Sequence, residues 1–144
     1  MHFDADDAWA SPYIGLPYVK AGRTLAGPDC WGLVLQVFSR EFGIKLPDFD
    51  AFEYATPKDA TRIGELIQSY MDTGSWKAWK EVPVADAKKG DVLVISMRSQ
   101  PMHCSIVIKP GIMLHATEDS DSVAEDYTSF RWKRRIVGAY RYGK

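Results

Sequence analysis

Cys30, His103 and His115 are the residues with the clearest chemical capacity in this chain. One thiol and two imidazoles are the parts of nucleophilic acyl transfer. A base makes the sulfur nucleophilic, and a third polar group orients the base. Cys30 opens the stretch Asp29-Cys30-Trp31-Gly32-Leu33-Val34. In the first turn of a helix it would feel the positive end of the helix dipole, which lowers a thiol's pKa and raises the thiolate fraction. A lone cysteine also fits a small buried hydrophobe, and this segment alone favours that plainer reading. The two histidines downstream turn the balance. His115, between Leu114 and Ala116, fits a structural histidine as well as a catalytic one, and His2 at the terminus receives no role.

The elements that must carry these residues can be read from breakers and periodicity. Gly22, Gly27 and Pro28 precede Asp29, a good N-cap residue type. Val34, Val37 and Phe38 recur at helical spacing, so a helix over about 30–42 is predicted, with Cys30 heading its inward face and Gly43 as its stop. Val92 to Ile95 reads as a buried strand after the turn Lys89-Gly90-Asp91. Met102 to Ile108 and Ile112 to Thr117 read as two more, joined by a hairpin turn at Lys109-Pro110-Gly111.

His103 and His115 are twelve residues apart on these two strands. Side chains alternate along a strand, so in a hairpin two residues share a face when paired positions have an even sum. A three-residue loop gives such a sum: loop 108–110 sets the histidines opposite each other, and loop 109–111 sets them diagonally. A two-residue Pro-Gly turn would send them to opposite faces. The same alternation predicts that Cys104 points away from Cys30, with Ile106 and Ile108, into the core. That argues against a Cys30–Cys104 disulfide and against a zinc site using His103 and Cys104. No C-x-x-C pair occurs, and neither a metal nor a cofactor is expected.

Elsewhere, Asp7 to Ala10 reads as one helical turn stopped by Ser11-Pro12, followed by a Gly/Pro-rich loop over 13–28 that carries Tyr18. Thr56-Pro57-Lys58-Asp59 starts a second helix, with Ile63, Leu66, Ile67, Tyr70 and Met71 as its apolar stripe and Gly74 as its end. Val123 to Tyr127 and Ile136 to Tyr142 are weaker strands. Glu118 to Asp126 reads as an exposed loop or a sheet edge, and Arg131 to Arg135 as a solvated basic run. Helices first and an antiparallel sheet of about five or six strands after them make an α+β class, read as one domain over 1–144.

At 46% hydrophobic and 26% charged, the 144 residues have the composition of a globular chain with a full core. A net charge of −1 offers nothing to nucleic acid or an anionic membrane. The acidic start, Met1 to Asp7, does not read as a signal peptide, and no stretch has the length of a membrane span. Two cysteines in such a chain suggest reduced thiols. Five tryptophans and seven tyrosines suit a ligand-gripping cleft and a well-filled core alike.

These residues resemble the NlpC family of papain-like cysteine peptidases, which cut peptidoglycan stem peptides. Gly15-Leu16-Pro17-Tyr18 resembles the segment ahead of the nucleophile. Asp29-Cys30-Trp31-Gly32-Leu33-Val34 resembles the Asp-Cys-Ser-Gly-Leu-Val signature, with tryptophan for serine. Phe42-Gly43-Ile44-Lys45-Leu46-Pro47 resembles the end of the cysteine helix, and Lys89-Gly90-Asp91-Val92-Leu93 the strand before the histidine. His103-Cys104-Ser105-Ile106-Val107-Ile108 and Leu114-His115-Ala116 resemble the two histidine segments.

The resemblance implies a papain-like fold with Cys30 as nucleophile, His103 as general base and then acid, and His115 as orienting partner. It also implies that Tyr18 helps hold the oxyanion and that Asp29 contacts the free amine of the substrate, beside the plainer readings of packing and N-cap. Val19-Lys20-Ala21-Gly22-Arg23 departs from the family's Gly-Gly pair, and Ser105 stands in place of a glycine. Trp31 and the compact chain look like the phage tail-associated branch. That implies a thiol endopeptidase at a virion tail tip, acting on a stem peptide such as γ-D-glutamyl–diaminopimelate, with a tail-tip hub protein as partner. The alternatives are an amidase or acyltransferase on the same scaffold and a structural tail-assembly subunit that docks onto a hub.

Overall fold

The computed structural model describes residues 3–47, 79–96 and 103–143. A 3-10 helix over Ala5–Tyr13 comes first, then helix α1 over Cys30–Phe42. Strands β1 (Trp79–Val82), β2 (Val92–Ile95), β3 (His103–Lys109), β4 (Ile112–Thr117) and β5 (Ser120–Asp126) follow, then a one-turn helix α2 (Phe130–Lys133) and strand β6 (Ile136–Tyr142). The helix expected from Thr56 and the strand start expected at Met102 lie outside the described residues.

Local chemistry explains the bounds of α1. The Asp29 carboxylate accepts the Gly32 N–H at 2.7 Å, satisfying one of the donors a helix start leaves unpaired. At the other end Gly43 takes the left-handed conformation, φ 67°, and its N–H returns to the last turn. The loop before α1 lies directly on the helix. Asp29 N–H donates to Gly22 O at 3.2 Å. A Cβ on Gly32 would stand 2.0 Å from that same Gly22 oxygen, so the signature glycine is required by a backbone approach. Trp31 is fully buried and its indole N–H donates to Pro47 O at 2.8 Å, tying the head of α1 to the chain that follows it.

The six strands form one antiparallel sheet in the order β1-β6-β2-β3-β4-β5, so the molecule is α+β as expected. Alternation divides its core in two. Val92, Val94, Cys104, Ile106, Ile108 and Leu114 pack with the inward face of α1. Leu93, Ile95, Val107, Met113 and Ala139 pack on the other side with Trp132 of α2. Asp91, ahead of β2, accepts both Nε and Nη2 of Arg141 at 3.0 and 2.9 Å, clamping that turn to β6.

Of the two alternatives for 118–126, the sheet edge holds: the segment is largely strand β5 on the edge, with Ser122 and Ala124 buried. Two local expectations are corrected. The first 3-10 helix runs from Ala5 through Pro12 to Tyr13 rather than stopping at Ser11-Pro12. Its tighter turn tolerates the proline, whose missing N–H is no loss where few donors are needed. The hairpin after β3 is the second. Lys109 pairs with Ile112 around a two-residue Pro110-Gly111 turn, while Ile106 pairs with Leu114 and Val107 with Met113. A bulge at Ile108 absorbs one residue and restores the even register that the turn alone would have broken.

Candidate active site

That register puts His103 and His115 diagonally on one face, and their rings meet: His103 Nε2 is 2.8 Å from His115 Nδ1. Both are buried. His115 Nε2 lies 2.6 Å from Glu125 Oε2 on β5, and the Trp132 ring stands edge-on to the His115 ring at 5.0 Å. Burial first, and then the charge of His103, push the His115 pKa down to about 4 against the pull of Glu125. His115 is therefore neutral at pH 7.

The Cys30 thiol reaches this pair from the head of α1. Its pKa is held well below the ordinary thiol value, first by a hydrogen bond from the Cys104 side chain, against burial, and then by the hydrogen bond and positive charge of His103. Among the described residues, His103 Nδ1 is buried with no directed hydrogen bond. With Nε2 committed to His115, Nδ1 is the ring nitrogen left for the sulfur. The arrangement can hold a thiolate beside an imidazolium.

Cys104 departs from the expectation that it points away from Cys30. It does face the core beside Ile106 and Ile108, as alternation requires. Yet Cys30 heads its helix and His103 heads its strand, so the sulfur sits where β3 begins and touches both residues. Burial, and then the hydrogen bond to Cys30 and its charge, push the Cys104 thiol well above its usual pKa, so Cys104 stays protonated and donates. No disulfide joins the two cysteines.

Tyr18 lies near the thiol. Its phenol pKa is raised first by burial and then by the negative charges of Cys30, Asp29 and Glu118, so the hydroxyl keeps its proton and can donate. Asp29 is buried at the helix cap, and its Oδ1 accepts Arg23 Nη1 at 2.9 Å as well as the Gly32 N–H. Sequence reasoning missed Cys104, Arg23 and Glu125 as neighbours of these residues. For Glu125 the spacing was no guide by itself: the turn pairs Thr117 with Ser120, an odd sum, and a register shift between His115 and Thr117 sets His115 and Glu125 on one face.

The family model described as NlpC/P60 matches residues 15–141. The chain is 29% identical over 140 residues to a gamma-DL-glutamyl hydrolase of Bacillus subtilis, covering 92% of this chain and 28% of that protein. It is 24% identical over 132 residues to tail tip assembly protein K of Escherichia phage N15, covering 88% of this chain and 50% of that one. The chain thus spans between about a quarter and a half of the length of these curated relatives. Among solved structures, the NlpC/p60 domain of the peptidoglycan hydrolase SagA is similar with a TM-score of 0.60 at 20% identity, over 97% of each chain. At that identity the likeness shows a shared fold, the papain-like one.

Proposed function

The chain belongs to the NlpC/P60 family of cysteine peptidases and cell-wall hydrolases, and from that premise we propose that it is a thiol endopeptidase cutting a peptidoglycan stem peptide, with the γ-D-glutamyl–diaminopimelate amide as its bond. The observation that carries this reading is the buried 2.8 Å contact between the two imidazoles with an acidified thiol beside it. The likeness to a gamma-DL-glutamyl hydrolase supports the choice of bond.

In this mechanism the Cys30 proton passes to His103, and the thiolate attacks the amide carbon. The carbonyl electrons move to oxygen. The Cys30 backbone N–H at the helix start and the Tyr18 hydroxyl meet that oxyanion. The C–N bond breaks as His103 returns the proton to the leaving amine, giving a thioester and a free amine. Water, deprotonated by His103, then releases the acid and restores the thiol. His115 holds the His103 ring, and Asp29 offers the negative charge that a free amine of the substrate would meet. Mass spectrometry of muropeptide digests tests the reading: wild-type protein releases the two halves of the cut stem and Cys30→Ala does not. Equal digestion by both would end it.

The likeness to a tail tip assembly protein favours a tail-tip setting, with a hub protein as partner. There the same chain could serve assembly. Virions carrying Cys30→Ala separate the roles. Slower entry into thick-walled hosts with normal assembly assigns the site to wall opening, and normal entry assigns the chain to structure alone.

A further inference from the structure

Glu125 stands outside the mechanism just given, yet it terminates the row of side chains that begins at Cys30. On β5, Val123 lies opposite His115 and Glu125 opposite Met113, so Glu125 is a diagonal neighbour of His115 on the same face. Its two oxygens are separately engaged. Oε2 is 2.6 Å from His115 Nε2. Oε1 accepts from Trp132 Nε1 at 3.3 Å and lies 3.8 Å from Arg131 Nη1. Trp132 is itself buried, and its ring crosses the His115 ring at 87°.

We propose that Glu125 is a positioning residue that sets the tautomers of both imidazoles, so that His103 presents a bare nitrogen to the thiol. An ionised carboxylate only accepts hydrogen bonds, so His115 Nε2 must donate to it. A neutral imidazole has one N–H, so His115 Nδ1 must accept. His103 Nε2, 2.8 Å away, must then donate. Neutral His103 is left with a lone pair on Nδ1, the nitrogen available to the sulfur. The proton leaving Cys30 goes to that lone pair, and none travels to Glu125. The opposite pair of tautomers would aim an N–H of His103 at the thiol and block the transfer. Burial works to neutralise Glu125, but the hydrogen bonds from His115 and Trp132 outweigh it and lower its pKa, so the acceptor-only form is the one present at pH 7. This inference rests on the reading of Cys30 as nucleophile and His103 as its base.

Glutamine at this position has one oxygen for two demands. If that oxygen serves Trp132 and Arg131, its amide N–H2 faces His115 and reverses the chain of donors. The charged or titrating groups around the imidazoles and the thiol are Cys30 from α1, Tyr18 and Asp29 from the segment before it, with Glu118 acting on Tyr18, Cys104 from β3, Asp119 from the turn after β4, Glu125 from β5, and Arg131 from α2. Nitrogen NMR of 15N-histidine protein at pH 7 reads the tautomers directly, and iodoacetamide alkylation of Cys30 against pH reads the thiolate. The wild type is expected to show His115 as the Nε2–H tautomer and His103 with a proton on Nε2, whether or not its Nδ1 has also taken the Cys30 proton. Glu125→Gln is expected to shift His115 toward Nδ1–H and to slow alkylation at pH 7 on the order of tenfold, the difference between a charged and a neutral hydrogen bond. At pH 10 the two rates should converge. Glu125→Asp, which still only accepts, should keep the wild-type tautomers. A wild-type His115 found as Nδ1–H, or Glu125→Gln spectra and alkylation matching wild type with only its melting temperature changed, would overturn the inference. Absence of muropeptide cleavage by the wild type would instead overturn the endopeptidase reading and leave the tautomer result standing.

Discussion

Replacing Cys104 by alanine removes the S–H that donates to the Cys30 sulfur and leaves the helix, the histidines and the loop before α1 in place. Cys104 is fully buried and Cys30 is 4% exposed, so water does not take over the lost bond. A hydrogen bond to a charged group contributes about 1.5–3 kcal/mol, and a thiol is a weak donor, so the lower end applies. About 1.5 kcal/mol is roughly a tenfold fall in the ratio of thiolate to thiol at a given pH. The helix terminus and His103 still favour the thiolate, so the acidity is reduced rather than abolished. Iodoacetamide alkylation followed by intact mass against pH measures it, and a single adduct is expected because the Cys104 thiol pKa is pushed up while that of Cys30 is lowered. The Cys104→Ala profile should move to higher pH, and Cys104→Ser, which keeps a donor, should stay near wild type. A Cys104→Ala profile lying on the wild-type curve would refute the claim that this bond acidifies Cys30. So would a serine variant that tracks the alanine one.

Three further outcomes follow from the geometry. The His115 pKa is about 4 in the fold against 6.5 unfolded, so the unfolded chain gains a proton first; stability is full above pH 6.5 and falls by roughly 3 kcal/mol as pH drops to about 4. Urea titrations of wild type and His115→Asn at pH 7 and pH 4 should show this loss only in the wild type, and equal losses would contradict it. Gly32→Ala drives a Cβ to 2.0 Å from Gly22 O, which should cost about 1–3 kcal/mol, and a melting temperature unchanged from wild type would show that the loop is not seated there. Asp29→Ala removes the α1 cap and takes the buried carboxylate from the Arg23 guanidinium, 2.9 Å from Oδ1. A loss of at least about 2 kcal/mol is expected, with Asp29→Asn between it and wild type in urea denaturation.

What could be read from the sequence was what neighbouring residues decide. Asp29 and Gly43 set the ends of α1 through their own side chain and backbone, so the helix over 30–42 was legible to the residue. Val92–Ile95 was equally legible as a short apolar run after a turn, and Ile136–Tyr142, whose apolar residues are mixed with an arginine and a glycine, was legible only as a weaker strand. Strand β5 was harder. An edge strand keeps one face and one rim in water, so its composition mimics a loop, and only the alternate burial of Ser122 and Ala124 marks it as sheet. Its consequence was harder still, because Glu125 matters only once β5 is known to lie beside β4.

The contact of the two imidazoles depends on one unpaired residue. The Pro110-Gly111 turn pairs Lys109 with Ile112, an odd sum, and carried along the strands that register would set His103 and His115 on opposite faces. The bulge at Ile108 changes the sum to even before the histidines are reached. No composition signal distinguishes this from a three-residue loop, because both leave the same apolar alternation along Ile106, Ile108 and Leu114. The preference arises across the sheet. With the odd register, either His115 or the apolar set of β4 would face the wrong layer, and Leu114 and Ala116 would leave the side of α1. Burial of β4 against the cysteine helix thus selects the bulge, and the bulge brings the second imidazole to the first. The packing of the core and the assembly of the site are one constraint, met at a residue that itself does no chemistry.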